Sequence, residues 1–272
     1  MKAKAKAPEI DLPAPFLKWA GGKASLVPTL VTMLPARWER YHEPFLGGGA
    51  LFFHLRPEGA RLGDANADLV NCYRQLALAP GGLIGQLEVY EAAHSRDVYY
   101  ATRAAWNEGV MSPLGRAAAF VYLNRTCFNG VWRVNKAGKF NVPMGRTKKP
   151  WVVDHARLRA CSAALQGAVL NPPGEMRPGC YQATSGNAKA GDLIYFDPPY
   201  DGTFDYGVPF AQPLLAAWFR MLNRRGVQLM LSNADTPSVR ELYSGFRIDS
   251  VSVRRSVRPG TAAAPEVVVR NY

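Results

Sequence analysis

Cysteine and histidine are both scarce in this chain, with four of each among 272 residues. Cys72, Cys127, Cys161 and Cys180 form no C-x-x-C pair, and His42, His54, His94 and His155 are equally scattered. That spacing excludes a metal centre or a disulfide framework as the organising device, and it makes a reducing cytoplasm the expected compartment. Long apolar runs are missing too, so no membrane span is expected. The start, Met1-Lys2-Ala3-Lys4-Ala5-Lys6, leads into no apolar stretch of the kind a secretory leader carries. No internal repeat is visible. Acids are the other shortage: 21 Asp and Glu face 33 Lys and Arg, a formal charge of +12. A balance of that sign favours a polyanionic partner.

What the chain does have is organised around Asp197-Pro198-Pro199-Tyr200. The apolar run Leu193-Ile194-Tyr195-Phe196 before it reads as a buried strand, and two prolines end that strand abruptly. An acid, a carbonyl and an aromatic ring are thus presented together at a strand's C-terminal end, where open α/β sheets bind their ligands. Proline has no N–H, so the Pro198 carbonyl is free to accept a hydrogen bond from outside. Two acceptors and a ring suit a flat substrate that carries an NH2 group. The plainer alternative is a strand ending in a proline turn, and four residues alone do not separate the two.

Two glycine-rich stretches precede it. Phe16-Leu17-Lys18-Trp19-Ala20-Gly21-Gly22-Lys23 offers close backbone approach, a cation and a flat ring, but its spacing is not that of a phosphate loop. Tyr41-His42-Glu43-Pro44-Phe45-Leu46-Gly47-Gly48-Gly49 reads as a strand, a glycine turn and then a helix, the unit of nucleotide-binding α/β folds. An acid should follow to hold ribose hydroxyls, and Asp64 stands 17 residues beyond Gly47, near the spacing of about 20. Asn66 reads as the cap of the next helix.

The middle of the chain differs in character. Residues 72–120 read as helices broken at Pro80-Gly81-Gly82 and Ser112-Pro113. Asn129-Gly130 signals a hairpin turn and Lys136-Ala137-Gly138-Lys139 a second turn. Between 112 and 160 ten Lys or Arg stand against a single acid, Asp154. Phe128, Trp132, Phe140 and Trp151 interleave them. A charge run is usually a solvated face, but this imbalance beside hairpins and aromatics is better explained by nucleic acid. Residues 226–233, 246–253 and 266–270 read as further strands, with a basic loop at Arg254-Arg255-Ser256-Val257-Arg258-Pro259-Gly260.

Taken in order, F-L-K-W-A-G-G-K (16–23), E-P-F-L-G-G-G (43–49), G-D-A-N-x-D-L (63–69), Y-L-N-R-x-x-F-N-G (122–130), F-N-V-P-M-G-R (140–146), D-P-P-Y (197–200) and L-S-N-A-D-T (231–236) resemble the Dam-type, DPPY-motif DNA adenine-N6 methyltransferases. The matches cover nearly the whole chain. The resemblance implies a Rossmann-like, doubly wound sheet of seven strands with one antiparallel edge strand, built from residues 1–71 and 150–272. Residues 72–149 would form an inserted helical and β-hairpin recognition domain. It implies S-adenosyl-L-methionine as methyl donor, no metal, and double-stranded DNA as partner. A companion restriction endonuclease and a monomer or weak dimer are compatible with it.

Carried over by position, the resemblance places Trp19 and Lys23 along the cofactor, Phe45 and Gly47 at its methionine end, and Asp64 on its ribose. Asp197, next to the cofactor, and Pro198, Pro199 and Tyr200 would face the target adenine. Asn124, Arg125, Phe128, Asn129, Val131, Arg133, Lys139, Arg146, Lys148 and Lys149 would contact DNA, with Arg133 reading a base. The chain departs from the relatives at Phe128, where they often carry Tyr, and near Gln182-Ala183-Thr184, where they often carry an acid. The chemistry agrees with the residues: accepting both amine hydrogens at Asp197 and Pro198 would localise the lone pair of a weakly nucleophilic nitrogen. No Pro-Cys dipeptide is present, which disfavours thiolate addition to cytosine C5. Methylation of the cytosine amine, and a catalytically silent DNA-binding regulator of the same fold, are the competing readings.

Overall fold

Two short runs set the architecture. Tyr41–Glu43 (β1) and Leu193–Phe196 (β4) are buried at every position, as parallel strands covered by helices on both faces must be. They pair in parallel, Tyr41 beside Leu193 and His42 beside Ile194. The computed structural model describes residues 13–147, 150–171, 180–201, 210–252 and 265–272. Among them the remaining strands are β2 (Arg61–Leu62), β3 (Val169–Leu170), β5 (Gln228–Ala234), β6 (Arg247–Ser252) and β7 (Pro265–Arg270). The sheet order is β3-β2-β1-β4-β5-β7-β6, the doubly wound arrangement expected. One detail is corrected. The reversed strand is not at the edge: β7 lies between β5 and β6, antiparallel to both. Val267, Val268 and Val269 are wholly buried and suit an interior lane, whereas β6 carries the exposed Arg247 and Ser250, which suit an edge.

The described helices are α1 (Val27–Thr32), α2 (Ala50–Leu55), α3 (Ala67–Leu78), α4 (Pro80–Ala92), α5 (Arg96–Glu108), α6 (Pro113–Thr126), α7 (His155–Leu165), α8 (Tyr181–Ser185), α9 (Gln212–Arg224) and α10 (Pro237–Leu242). Side chains cap several of them: Asn66 accepts from the Asp68 and Leu69 N–H groups, Ser95 from Val98, Ser112 from Gly115, Asp154 from Arg157 and Thr236 from Val239. α9 buries Leu215, Phe219 and Leu222 along one stripe and packs them beside Phe196 and Leu229 of the sheet. None of these helices is long and apolar enough to cross a membrane. The expected boundary at 71/72 falls inside α3, and the helices that follow share one apolar core with the sheet, from Phe53 and Leu193 through Tyr73 and Leu83 to Phe120.

Part of the basic region, 127–144, is an antiparallel ribbon that reverses at the second of the two expected turns rather than at Asn129-Gly130. Cys127 pairs with Met144 and Val134 with Phe140, so the reversal is at 135–139, where the Asn135 N–H donates to Lys139 and the Gly138 N–H to Asn135. Asn129-Gly130 is a tight left-handed turn, φ 55° and 64°, inside one arm of the ribbon rather than at its tip. Gly130 is needed there for a second reason: a Cβ would collide with the Lys18 side-chain stem. Two of the four interleaved aromatics face inward. Trp132 stacks on Phe140 at 4.3 Å and meets Trp106 edge-on at 5.2 Å, while Phe128 and Trp151 are exposed. The left-handed turn at Asn129-Gly130 separates Phe128 from Trp132, and Trp151 lies beyond the ribbon.

Trp132→Ala should therefore cost about 3–5 kcal/mol of stability, the range for emptying a buried aromatic site. Phe128→Ala, at the surface, should change it by about 0.5 kcal/mol or less. Urea unfolding of the two variants checks the contrast.

Candidate active site

The strand order reverses between β1 and β4, and the chain leaves their C-terminal ends in opposite directions. The crevice this opens is lined by the loops after β1, β2 and β4. After β1, Gly47 and Gly49 adopt φ of 48° and 68°, and a Cβ on Gly47 would press on the Trp19 ring at 3.1 Å. Asp64, after β2, reaches across this loop: its Oδ2 accepts the Gly47 N–H at 2.9 Å and its Oδ1 the Asn66 N–H at 2.8 Å. Asn171 clamps the Asp64 backbone from both sides, and the Tyr73 hydroxyl donates to the Gly47 carbonyl. Asp64 thus stands where the sequence placed it, and it also ties the glycine loop to the end of β2.

Asp197 emerges from β4 beside the same crevice. Its Oδ1 receives the Lys23 ammonium at 2.9 Å and the Ser232 hydroxyl at 2.8 Å. Tyr195 lies 2.9 Å behind Ser232, so a hydroxyl chain from the sheet interior orients the carboxylate. Oδ2 takes no hydrogen bond among the described residues, and neither does the Pro198 carbonyl. Pro199 differs, because its carbonyl accepts from the Gln212 amide at 2.7 Å. Burial raises the Asp197 pKa, and the charge and hydrogen bond of Lys23 pull it back. The Lys23 ammonium also lies 4.6 Å from the Tyr200 ring centroid and donates to the Gly21 carbonyl. Two expected cofactor residues and the two ends of the DPPY motif therefore meet in one cluster.

Phe45 belongs to an aromatic wall that sequence reasoning missed. It stacks on Tyr181 at 5.6 Å and meets Phe210 edge-on at 5.6 Å. Ser232 and Glu266 were missed as well, the first inside a quoted motif, the second a lone acid opening an apolar strand. Among the described residues no group of three or more His, Cys, Asp or Glu could hold a metal.

The expected DNA-contacting residues separate into two groups. Asn124 is wholly buried; it accepts from the Lys18 N–H at 2.9 Å and donates to the Lys18 carbonyl at 2.7 Å. Arg125 donates to the carbonyls of Phe16 and Trp151. Both clasp the 16–19 segment from inside, because they lie in the last turn of α6 against it, and neither presents its side chain outward. Arg116 is also internal, paired with Asp68 and stacked on Trp106. Phe128, Asn129, Val131, Arg133, Lys139 and Arg146 are exposed along the ribbon, with the Arg133 Nε donating to the Asn141 Oδ1 at 3.2 Å. Lys148, Lys149 and the basic stretch 254–260 lie outside the described residues.

A second acid sits beneath the crevice. Glu43 ends β1, almost fully buried, and accepts the Tyr41 hydroxyl at 2.7 Å. Burial, partly offset by that bond and reinforced by the Asp197 charge, lifts its pKa to about 8. The folded chain then keeps a proton that the unfolded chain releases in the ordinary carboxylate range. Stability contributed by this group is complete below that range and falls as pH rises toward about 8. Urea midpoints at about pH 5 and about pH 9 should differ more in the wild type than in Glu43→Gln, which has nothing to ionise.

The sequence is similar to those of known proteins. Residues 19–257 match the family described as D12 class N6 adenine-specific DNA methyltransferase. The type II methyltransferase M1.LlaDCHI of Lactococcus lactis subsp. cremoris is 36% identical, over 95% of each chain. The type II methyltransferase M.MjaIII of Methanocaldococcus jannaschii is 32% identical, over 89% of this chain and 92% of its own. A DNA adenine methylase of Vibrio cholerae is also 32% identical, over 93% of this chain and 92% of its own. The match runs from Trp19 through the glycine loop, the exposed ribbon and the Asp197 cluster, and the chain belongs to the D12 class N6 adenine-specific DNA methyltransferases.

Proposed function

We propose that this enzyme takes its methyl group from S-adenosylmethionine and delivers it to an adenine turned out of a short, specific duplex sequence. One observation carries the reading. Asp197 is held on a single oxygen by Lys23 and Ser232, which leaves Oδ2 and the Pro198 carbonyl as acceptors beside the Tyr200 ring. Those two acceptors match the two hydrogens of an exocyclic amine. Taking both would localise the nitrogen lone pair, and fixed acceptors would do so with little reorganisation. The ring of Tyr200 would support the base by stacking. A base inside a duplex cannot reach this recess, so it must leave the stack.

The crevice fits the cofactor. The loop turns on positive φ at Gly47 and Gly49, the Asp64 carboxylate binds its Gly47 N–H, and Phe45 of the same loop stacks on Tyr181. Trp19, Lys23, Phe45, Gly47 and Asp64 would hold it, next to Asp197. When bound, S-adenosylmethionine supplies an electrophilic methyl group on a sulfonium. Every other part of the reaction rests on orientation by this chain's own groups.

Residues 72–149 act in this reading as the part that reads DNA. The ribbon presents Phe128, Asn129, Val131, Arg133, Lys139 and Arg146 to solvent without acids among them, and a two-stranded ribbon fits the major groove. Lys148 and Lys149 would add phosphate contacts. A companion restriction endonuclease for the same sequence is consistent with the type II names of two relatives.

Expression in cells that lack adenine methylation, followed by sequencing of their DNA for modified bases, tests the reading. A single motif carrying N6-methyladenine is the expected result, and methylated cytosine in its place would overturn it. Asp197→Ala should lower turnover by at least about 10²-fold while leaving duplex binding close to normal. Arg133→Ala should cost about 1–3 kcal/mol on the mapped site and relax preference at one base pair. Uniformly slower methylation of every single-base variant would make Arg133 a phosphate contact.

A further inference from the structure

The reversal of β7 has a consequence at the catalytic edge. A strand that runs against its neighbours brings its first residues to the place where theirs end. Glu266, the second residue of β7, pairs with Ala234, the last of β5. It is thereby delivered beneath the DPPY turn, 3% exposed. There its Oε2 accepts the Tyr200 hydroxyl at 2.8 Å. Burial, followed by the nearby Asp197, Tyr195 and Glu266, holds the Tyr200 phenol far above its ordinary pKa, so it stays a neutral donor.

A second acid this close to Asp197 is not neutral for the site. Glu266 raises the Asp197 pKa, and carboxyl groups are rarely kept in a dry interior without a partner that needs them. An apolar residue at 266 would continue the valine strand and spare the repulsion. The Tyr200 hydroxyl is one group that Glu266 holds there.

We infer that Glu266 is a positioning residue for methyl transfer, fixing where the Tyr200 ring stands before a base arrives. The inference rests on the reading that Tyr200 stacks on the target adenine. A tyrosine ring swings about its Cα–Cβ bond and spins about its Cβ–Cγ bond; the hydroxyl oxygen lies on the spin axis, so the bond to Glu266 restrains the swing. Lys23, on the face of the ring and on Asp197, restrains the near side. A stacked base would then meet Oδ2 of Asp197 and the Pro198 carbonyl in register, and small losses of register slow such reactions strongly.

The experiment compares Tyr200→Phe, Glu266→Ala, Glu266→Gln and the double variant Tyr200→Phe/Glu266→Ala. Single-turnover methyl transfer is measured on the mapped duplex, and base stacking on the same duplex with 2-aminopurine in place of the target adenine. Removing either end of the bond should slow transfer by about three- to tenfold, the effect of one hydrogen bond. Duplex affinity should hold, the 2-aminopurine signal should change in both single variants alike, and the double variant should be no slower than either. Glu266→Gln, which keeps an acceptor, should regain most of the rate. Wild-type transfer by Tyr200→Phe, or additive losses in the double variant, would overturn the inference. If Glu266→Ala does not fold, Tyr200→Phe decides alone, since it leaves β7 untouched. Tyr200→Ala separates the premise: wild-type transfer in that variant would remove stacking itself, whereas slow transfer there beside a normal Tyr200→Phe would remove only the positioning role.

Discussion

The parallel pairing of β1 with β4 is the constraint on which the rest depends. Both strands are short and buried at every position, so their register cannot slip without exposing apolar side chains. Because the strand order reverses between them, neither loop can close over the gap. The parallel backbone pairing of the two strands, with the contact of Phe45 on Phe196, holds the glycine loop after β1 and the DPPY turn after β4 facing each other. Everything chemical in the protein, from Lys23 to Asp64, is arranged around that opening.

Three carboxyl groups converge on this edge, and each is accommodated by a different device. Glu43 is pushed toward its neutral form by burial and shares the Tyr41 hydroxyl. Asp197 is matched by the Lys23 ammonium. Glu266 accepts a phenol that burial keeps protonated. Asp197 is held on Oδ1, and its Oδ2 takes no hydrogen bond among the described residues. In the proposed reading this leaves Asp197 as the acceptor for substrate, with Glu43 and Glu266 beneath it.

The basic middle region shows a similar division. Its net charge is real, yet Arg116 and Arg125 serve internal carboxylates and carbonyls, and Asn124 holds the 16–19 segment. That clasp couples the ribbon to the crevice, since the same segment carries Trp19 and leads to Lys23. What faces outward is a narrower set, headed by Arg133 and the exposed Phe128. A charge count over the sequence does not distinguish the two uses, because an arginine looks the same whether its partner is a phosphate or a carbonyl of its own chain.

The sequence by itself determined the parts whose signal is local. Glycines mark the positive φ of the loop after β1, prolines stop β4, and an apolar run short enough to be a strand precedes them. Asp197, the glycine loop and Asp64 were legible for that reason, and so were the sheet class and the cap at Asn66. Tertiary structure decided what depends on residues far apart in the chain. Ser232 and Glu266 reach the site only because β5 lies beside β4 and β7 beside β5; Ser232 stands inside a quoted motif, but neither residue's neighbours show that it meets Asp197 or Tyr200. The lane taken by β7, the inward turn of Trp132 and Phe140, and which of the two expected turns reverses the ribbon were decided by packing between distant segments. Turn propensity was satisfied in both places, and it is a weaker force than burial.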